Sequence, residues 1–380
     1  MKIGAVDSLL KGSTMHKNQG PVYYGDYLKL GQLLDSQQPL SKKFSTSENP
    51  EAHDEMLFII VHQAYELWFK QMLHDLDSVL KIFEQEAVPE TDLGTVVQRL
   101  ERIRKIQVMI SGQLDILESM TPMDFLEFRN LLIPASGFQS VQFREIEIKL
   151  GLGTHNRENI DREFFMGRLS EADRQKLISL EGTPSLLKRL EAWLERTPFT
   201  VSAEFNFWGE YQNAVKGILA EDEATIQANM AHLSDKDKQG QLENLKVTRD
   251  TFESLFDEQK HQDVVTAGGR KLSRKAILNA LFILLYREQP MLALPFQMMS
   301  LMMDIDENFT TWRYRHALMA QRMLGTKIGT GGSSGHAYLK RAADNNRVFI
   351  DLFNLSTYLI PRSRRPQIPD AIKKKLNFHV

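Results

Sequence analysis

The chain has 380 residues, 42% of them hydrophobic and 25% charged, with a formal net charge of −2. That length can bury a sizeable core, and the near-neutral balance leaves no global electrostatic case for nucleic acid or an anionic membrane surface as partner. Cysteine is absent, which excludes disulfides, thiolate nucleophiles, thiolate-held zinc and iron–sulfur clusters, so redox chemistry would need a bound cofactor.

Residues 1–20 are polar and glycine-containing and are expected to form a flexible arm. They lack the long apolar region of a signal peptide. The richest apolar stretch, AILNALFILLY at 276–286, is too short to span a bilayer, so a soluble cytoplasmic protein is expected. From about Tyr23 the pattern is helical almost throughout, with no strand-length alternation followed by hairpin turn signals. In 55–86, apolar residues recur with helical period at Leu57, Ile60, Val61, Ala64, Leu67, Trp68, Met72, Leu76, Val79 and Phe83. A second run carries Val97, Leu100, Ile103, Ile106, Ile110, Leu114 and Leu117. Thr121-Pro122-Met123-Asp124 combines a capping hydroxyl, a proline at the first helical position and an acid in the first turn. Parts of the same grammar recur at Ser170 and at Thr183-Pro184; further helices are expected to open near Ser273 and to cover about 303–324. Residues 220–262 are more polar and read as an exposed helical excursion. The expectation is all-α: one large helical-bundle domain over 21–380 with that polar insertion.

Three features carry possible chemistry. The glycine-rich stretch from Gly325 to Gly335 is neither a Walker loop, since His336 stands where lysine is required, nor a dinucleotide fingerprint. It reads as a helix connector or as a mobile loop offering Thr330 and serine hydroxyls to a ligand. His316 shares a helical face with Phe309, Trp312, Ala320 and Met323, all within about 40° of it on a 3.6-residue wheel. It is either a hydrogen-bonded core histidine or the axial ligand of a flat apolar cofactor, with Arg315 and Arg322 close enough in sequence to serve that cofactor's carboxylates. His62 lies in a stripe of its own, Phe58, His62, Tyr65 and Phe69, apart from the aliphatic face of the same helix. Such a helix is buried on two sides, and the second face suits either an aromatic core or a pocket for a planar ligand. His62 and Glu66 also stand one turn apart, a spacing usable by non-haem iron. Arg129, one turn after Phe125, is either an ion-paired residue or a clamp for a substrate carboxylate.

Taken together, YYGDYLKL (23–30), LFIIVHQAYELWFKQ (57–71), MTPMDFLEFR (120–129), PASGFQSVQFR (134–144), RYRHALMAQRMLG (313–325), GTGGSSG (329–335) and DLFNLSTYLIPR (351–362) resemble the tryptophan 2,3-dioxygenases, in family order and over nearly the whole chain. The resemblance implies an all-α enzyme using haem b, ferrous in its active state, to open the indole pyrrole ring of L-tryptophan with O₂ and give N-formyl-L-kynurenine. It assigns His316 as the axial iron ligand, with Trp312 beside it and Ser136 lining the haem pocket. It places His62 near the indole N–H, Phe58 and Phe125 as aromatic walls, Arg129 on the substrate carboxylate and Thr330 on the amino-acid end. Tyr24 and Tyr27 match tyrosines that in this family reach an active site within a homotetramer. Two departures from the usual family pattern stand outside these positions: His336 in Gly335-His336-Ala337-Tyr338-Leu339, and Met56. Two other readings remain open at this point, a specialised relative acting on a modified tryptophan and a non-catalytic haem sensor.

Overall fold

The computed structural model describes residues 20–152, 166–198, 200, 205–229, 233–327 and 336–377. Among them the regular structure is helical, without a β-sheet. The expected period over 55–86 becomes α1, Glu55–Ile82, which buries Val61, Tyr65, Phe69, Met72, Leu76 and Val79. It stops short of 86 because the last turn tightens, Glu84 N–H donating to Lys81 C=O and Gln85 N–H to Ile82 C=O. Pro89 then caps α2, Glu90–Leu117, whose predicted apolar residues from Val97 to Leu117 are all buried.

The Thr121 signal opens α3, Pro122–Arg129, through a reciprocal bond between the Thr121 and Asp124 side chains and backbones. Ser140 caps α4, Val141–Leu150. Gly151 ends it at φ +128°, where a Cβ would come within 2.7 Å of the Leu187 Cβ. Ser170 caps α5, Glu171–Glu181. The next helix, α6 (Leu186–Leu194), is capped by Ser185 rather than by Thr183, whose hydroxyl donates back to Leu180 C=O.

The polar stretch forms antiparallel-packed helices: α7, Phe207–Asn229; α8, Asp235–Phe256; and α9, Glu258–Thr266. Ser273 caps α10, Arg274–Leu285, which is buried along most of its length. The helix expected from about 303 starts much earlier: α11 runs from Pro290 to Leu324, 35 residues, with Pro290 at its first position and Pro295 buried inside it. At 1.5 Å per residue it is about 50 Å long. The last long element is α12, His336–Asn345.

Helix α11 packs along α2 and α12, while α1 packs on α2 and α4, and this group surrounds the site. Buried carboxylates pin the chain between these helices. Asp306 of α11 accepts the backbone N–H groups of Val348 and Phe349, and Glu55 accepts those of Leu40 and Ser41. Each bond satisfies a backbone donor and a carboxylate that would otherwise be costly to bury. No single helix among the described residues is long and apolar enough to cross a membrane.

Candidate active site

A cavity of about 330 Å³ opens between α1, α3, α4, α11 and α12. The second stripe of α1 faces it: Phe58, His62, Tyr65 and Phe69 all line the wall, so this face is a pocket rather than a solid aromatic core. The Phe58 ring lies 4.1 Å from the His62 ring and 5.8 Å from Phe125, centroid to centroid, and Phe125 meets Phe128 edge-on at 5.4 Å. Arg129 ends α3 on the same wall.

His62 Nδ1 stands 2.7 Å from the Phe58 carbonyl. A carbonyl only accepts, so Nδ1 carries the proton and Nε2 is left as an acceptor. The surface that His62 exposes is cavity wall, and enclosure by protein holds its pKa below the ordinary histidine value, more than the Phe58 bond and the Glu66 charge raise it.

His316 faces the cavity from α11 with no hydrogen-bond partner for its ring among the described residues. Burial, and then the proximity of His62, push its pKa down to about 4, so the ring is neutral at physiological pH. Trp312, one turn before it, stacks on it with ring centroids 5.1 Å apart and planes within 4°. The Trp312 indole N–H donates to the Tyr65 hydroxyl at 3.2 Å, and that hydroxyl donates to the Ile110 carbonyl at 2.6 Å. The stack is thereby tied to α1 and α2.

Ser136 lines the cavity and caps the short turn Gly137–Gln139. Glu66 also lines it, but its carboxylate accepts from Ser140 Oγ at 2.6 Å and from Gln142 Nε2 at 2.7 Å. No group of three histidine and carboxylate side chains among the described residues is placed to hold a metal ion, so the non-haem-iron reading of His62 and Glu66 gains no ligand set.

The structure thus brings His62, Phe58, Phe125, Arg129, Ser136, Trp312 and His316 to one cavity. Tyr24 and Tyr27 are not on its wall; they stand on the short exposed helix Tyr24–Tyr27. Thr330 and the glycine loop lie outside the described residues, as does the side chain of His336. The two arginines singled out beside His316 are corrected: Arg315 turns to Ser111 C=O and Asp115 on α2, and Arg322 is exposed. Besides Arg129, the cavity is lined by Arg144 on α4 and Arg313 on α11. Both were missed, although the spacing of Arg144 and Glu147 on one helix face was visible in the sequence.

Comparison with known proteins bears directly on this arrangement. The family model described as tryptophan 2,3-dioxygenase matches residues 10–359. The chain belongs to the tryptophan 2,3-dioxygenase family. A protein of that name from Bdellovibrio bacteriovorus is 49% identical over 359 residues, covering 94% of this chain and 99% of its own. One from Alteromonas mediterranea is 46% identical over 96% of this chain and 100% of its own, and one from Dictyostelium discoideum 46% identical over 95% and 89%. Membership implies a haem cofactor. The residues present fit one: a neutral imidazole, without a hydrogen-bond partner among the described residues, projects into an apolar, aromatic-walled cavity that also carries arginines.

Proposed function

We propose that the chain opens the indole ring of L-tryptophan with O₂ to give N-formyl-L-kynurenine, both oxygen atoms entering the product. The observation that carries this reading is the pairing, across one aromatic cavity, of a buried neutral imidazole with a second imidazole whose acceptor nitrogen is defined. His316 would hold the iron of haem b, active in the ferrous form, with Trp312 stacked against its ring and Ser136 on the cavity wall. When bound, the haem supplies the iron centre that takes and activates O₂.

The rest falls to the chain. Phe58 and Phe125 stack the indole and keep the cavity dry. Arg129 pairs with the substrate carboxylate through a charge-assisted fork, and Thr330 takes the amino-acid end. The neutral His62 accepts a hydrogen bond from the indole N–H at Nε2, since Nδ1–H is committed to the Phe58 carbonyl. An indole N–H is too weakly acidic for imidazole to remove outright, so this bond orients the ring rather than deprotonating it.

Residues 21–380 are read as one haem domain with 220–262 as its excursion, in a cytoplasmic protein acting without membrane or nucleic acid. The N-terminal segment supports a homotetramer in which Tyr24 and Tyr27 meet a neighbouring subunit. Val22, Tyr23, Tyr24, Tyr27 and Leu34 are each more than three-fifths exposed, an apolar run that a second copy would cover. The test is to load the purified protein with haem, reduce it, add L-tryptophan and O₂, and follow formation of formylkynurenine. Formation of that product is the expected result; haem-loaded protein that makes none overturns the proposal.

A further inference from the structure

Among the groups on the cavity wall, the Tyr65 hydroxyl has no part in the proposed reaction. Tyr65 stands on α1, three residues after His62, and is buried. Its O–H donates to the Ile110 carbonyl of α2 at 2.6 Å. That bond fixes the direction of the hydroxyl, whose lone pairs then accept from a set side, and the Trp312 indole N–H of α11 donates there at 3.2 Å.

Rings hold Trp312 on its other sides. Phe143 packs on it at 5.4 Å between centroids, and the Tyr65 ring meets it edge-on at 6.1 Å. The indole in turn bears on His316, with the two planes within 4° and 5.1 Å apart. Rotation of an imidazole about its Cβ–Cγ bond is soft, because the wells of that torsion are broad. A hydrogen bond to the second ring nitrogen is the usual brake on an axial ligand. His316 has none among the described residues, which leaves the parallel indole face as the constraint on its plane.

We infer that Tyr65 is a positioning residue: by anchoring Trp312 to α2 it fixes the plane in which His316 meets the haem iron. The inference rests on the haem reading above and gives Tyr65 a role within it. Control runs from the Ile110 carbonyl through the Tyr65 hydroxyl and the Trp312 indole to the imidazole. Because Tyr65 and His62 share one helix, α1 also ties the plane of one imidazole to the place of the other. The axial ligand is one of the levers by which a protein tunes haem iron, so its orientation bears on the metal and not on packing alone.

The experiment loads the full chain with haem, reduces it without O₂ and records the iron–histidine stretching band by resonance Raman scattering. Tyr65→Phe removes one oxygen and keeps the ring. It should take up haem with a Soret band like that of the wild type, yet its iron–histidine band should shift and broaden as the imidazole samples several planes. Trp312→Phe should also shift the band, and the double variant should shift it no further, since Tyr65 acts through Trp312. Haem-free protein tests the first link: the Trp312 indole N–H should exchange with solvent roughly two- to tenfold faster in Tyr65→Phe, the worth of one neutral hydrogen bond. Tyr211→Phe controls for mere loss of stability. It removes another buried hydroxyl-to-carbonyl bond, to Tyr358, away from the cavity, and its band should match the wild type. An unshifted band or unchanged indole exchange in Tyr65→Phe, a further shift in the double variant, or an equal shift in Tyr211→Phe overturns the inference and leaves the haem reading standing. Should Tyr65→Phe not fold, Trp312→Phe decides, and an unshifted band there overturns the inference too. A wild type without an iron–histidine band, or a His316→Ala variant that keeps it, overturns the haem reading and this inference with it.

Discussion

Two regions of the molecule use the same ion-pair chemistry in opposite surroundings. At the cavity, Arg144, Glu147 and Arg313 meet with side chains 10%, 2% and 8% exposed. In the α7–α8 pair, Arg249 meets Glu223 at 2.9 Å with side chains 44% and 43% exposed. The second pair is screened by water and salt, and each partner gives up rotamer freedom for a small Coulomb gain. The first is deprived of water, so removal of one partner strands the others. What differs is burial, and burial decides whether a charge shapes the site or merely decorates a surface.

The largest effect should come from His316, which no polar side chain satisfies among the described residues. His316→Ala should lose stable haem binding and all measurable turnover, seen as absence of a Soret band and of formylkynurenine. A haem spectrum and turnover like the wild type in that variant would remove the whole assignment. Next is Glu147→Ala, which strips two buried arginines of their shared carboxylate. A loss of roughly 3–5 kcal/mol in denaturant unfolding is expected, and a loss under 1 kcal/mol would show that the cluster is solvated after all. His62→Ala should come third. It should keep haem, since the iron ligand is intact, and lower kcat/KM about ten- to hundredfold, as loss of one orienting hydrogen bond to the substrate implies. Preserved turnover with 1-methyltryptophan relative to tryptophan in the wild type would contradict the role given to Nε2.

The same contrast explains what could be read in the sequence. The cavity-facing stripe on α1 was legible because a helix with two apolar faces has to be buried twice, and the structure puts Phe58, His62, Tyr65 and Phe69 on one wall. Arg129 was legible as a cavity residue from its spacing with Phe125. The arginines near His316 were misplaced because adjacency in sequence is not adjacency on a helix. Residues one apart differ by about 100°, so Arg315 faces Asp115 on α2, while Arg313 reaches the cavity. Nor could periodicity reveal the link from Trp312 through Tyr65 to Ile110, which joins three helices and depends on their packing. The start of α11 escaped for another reason: the helix expected over about 303–324 begins at Pro290, which sits at its first position, and runs on through the buried Pro295, a residue that usually interrupts a helix.

On α9, next to the exposed α8, burial returns, and there the pH dependence should lie. His261 of α9 is buried; its Nε2–H donates to the Leu272 carbonyl at 3.1 Å and its Nδ1 accepts from Arg270 at 2.9 Å. Desolvation, with the charges of Arg270 and Arg274, lowers its pKa below 6.5 despite the Leu272 bond and Asp351. The folded state thus favours the neutral ring, and as pH falls below the ordinary value the unfolded chain takes up the proton first. Stability should be flat above neutral pH and decline toward acid. His261→Gln, which can still donate and accept, should flatten that decline in thermal unfolding between pH 7 and 5, whereas His62 and His316 contribute equally to both proteins. An unchanged slope would place the acid sensitivity elsewhere.

The smallest effect belongs to the exposed pair. Arg249→Ala should change unfolding free energy by less than about 1 kcal/mol, and added salt should shrink the difference further. The sharper form of this test compares it with the cavity cluster in a single salt series. Between low and high ionic strength the cost of Arg249→Ala should fade, while the cost of Glu147→Ala should persist, because counter-ions cannot enter a site that excludes water. If both costs fade together, the cavity cluster is open to solvent, and the difference between the two regions is one of degree only.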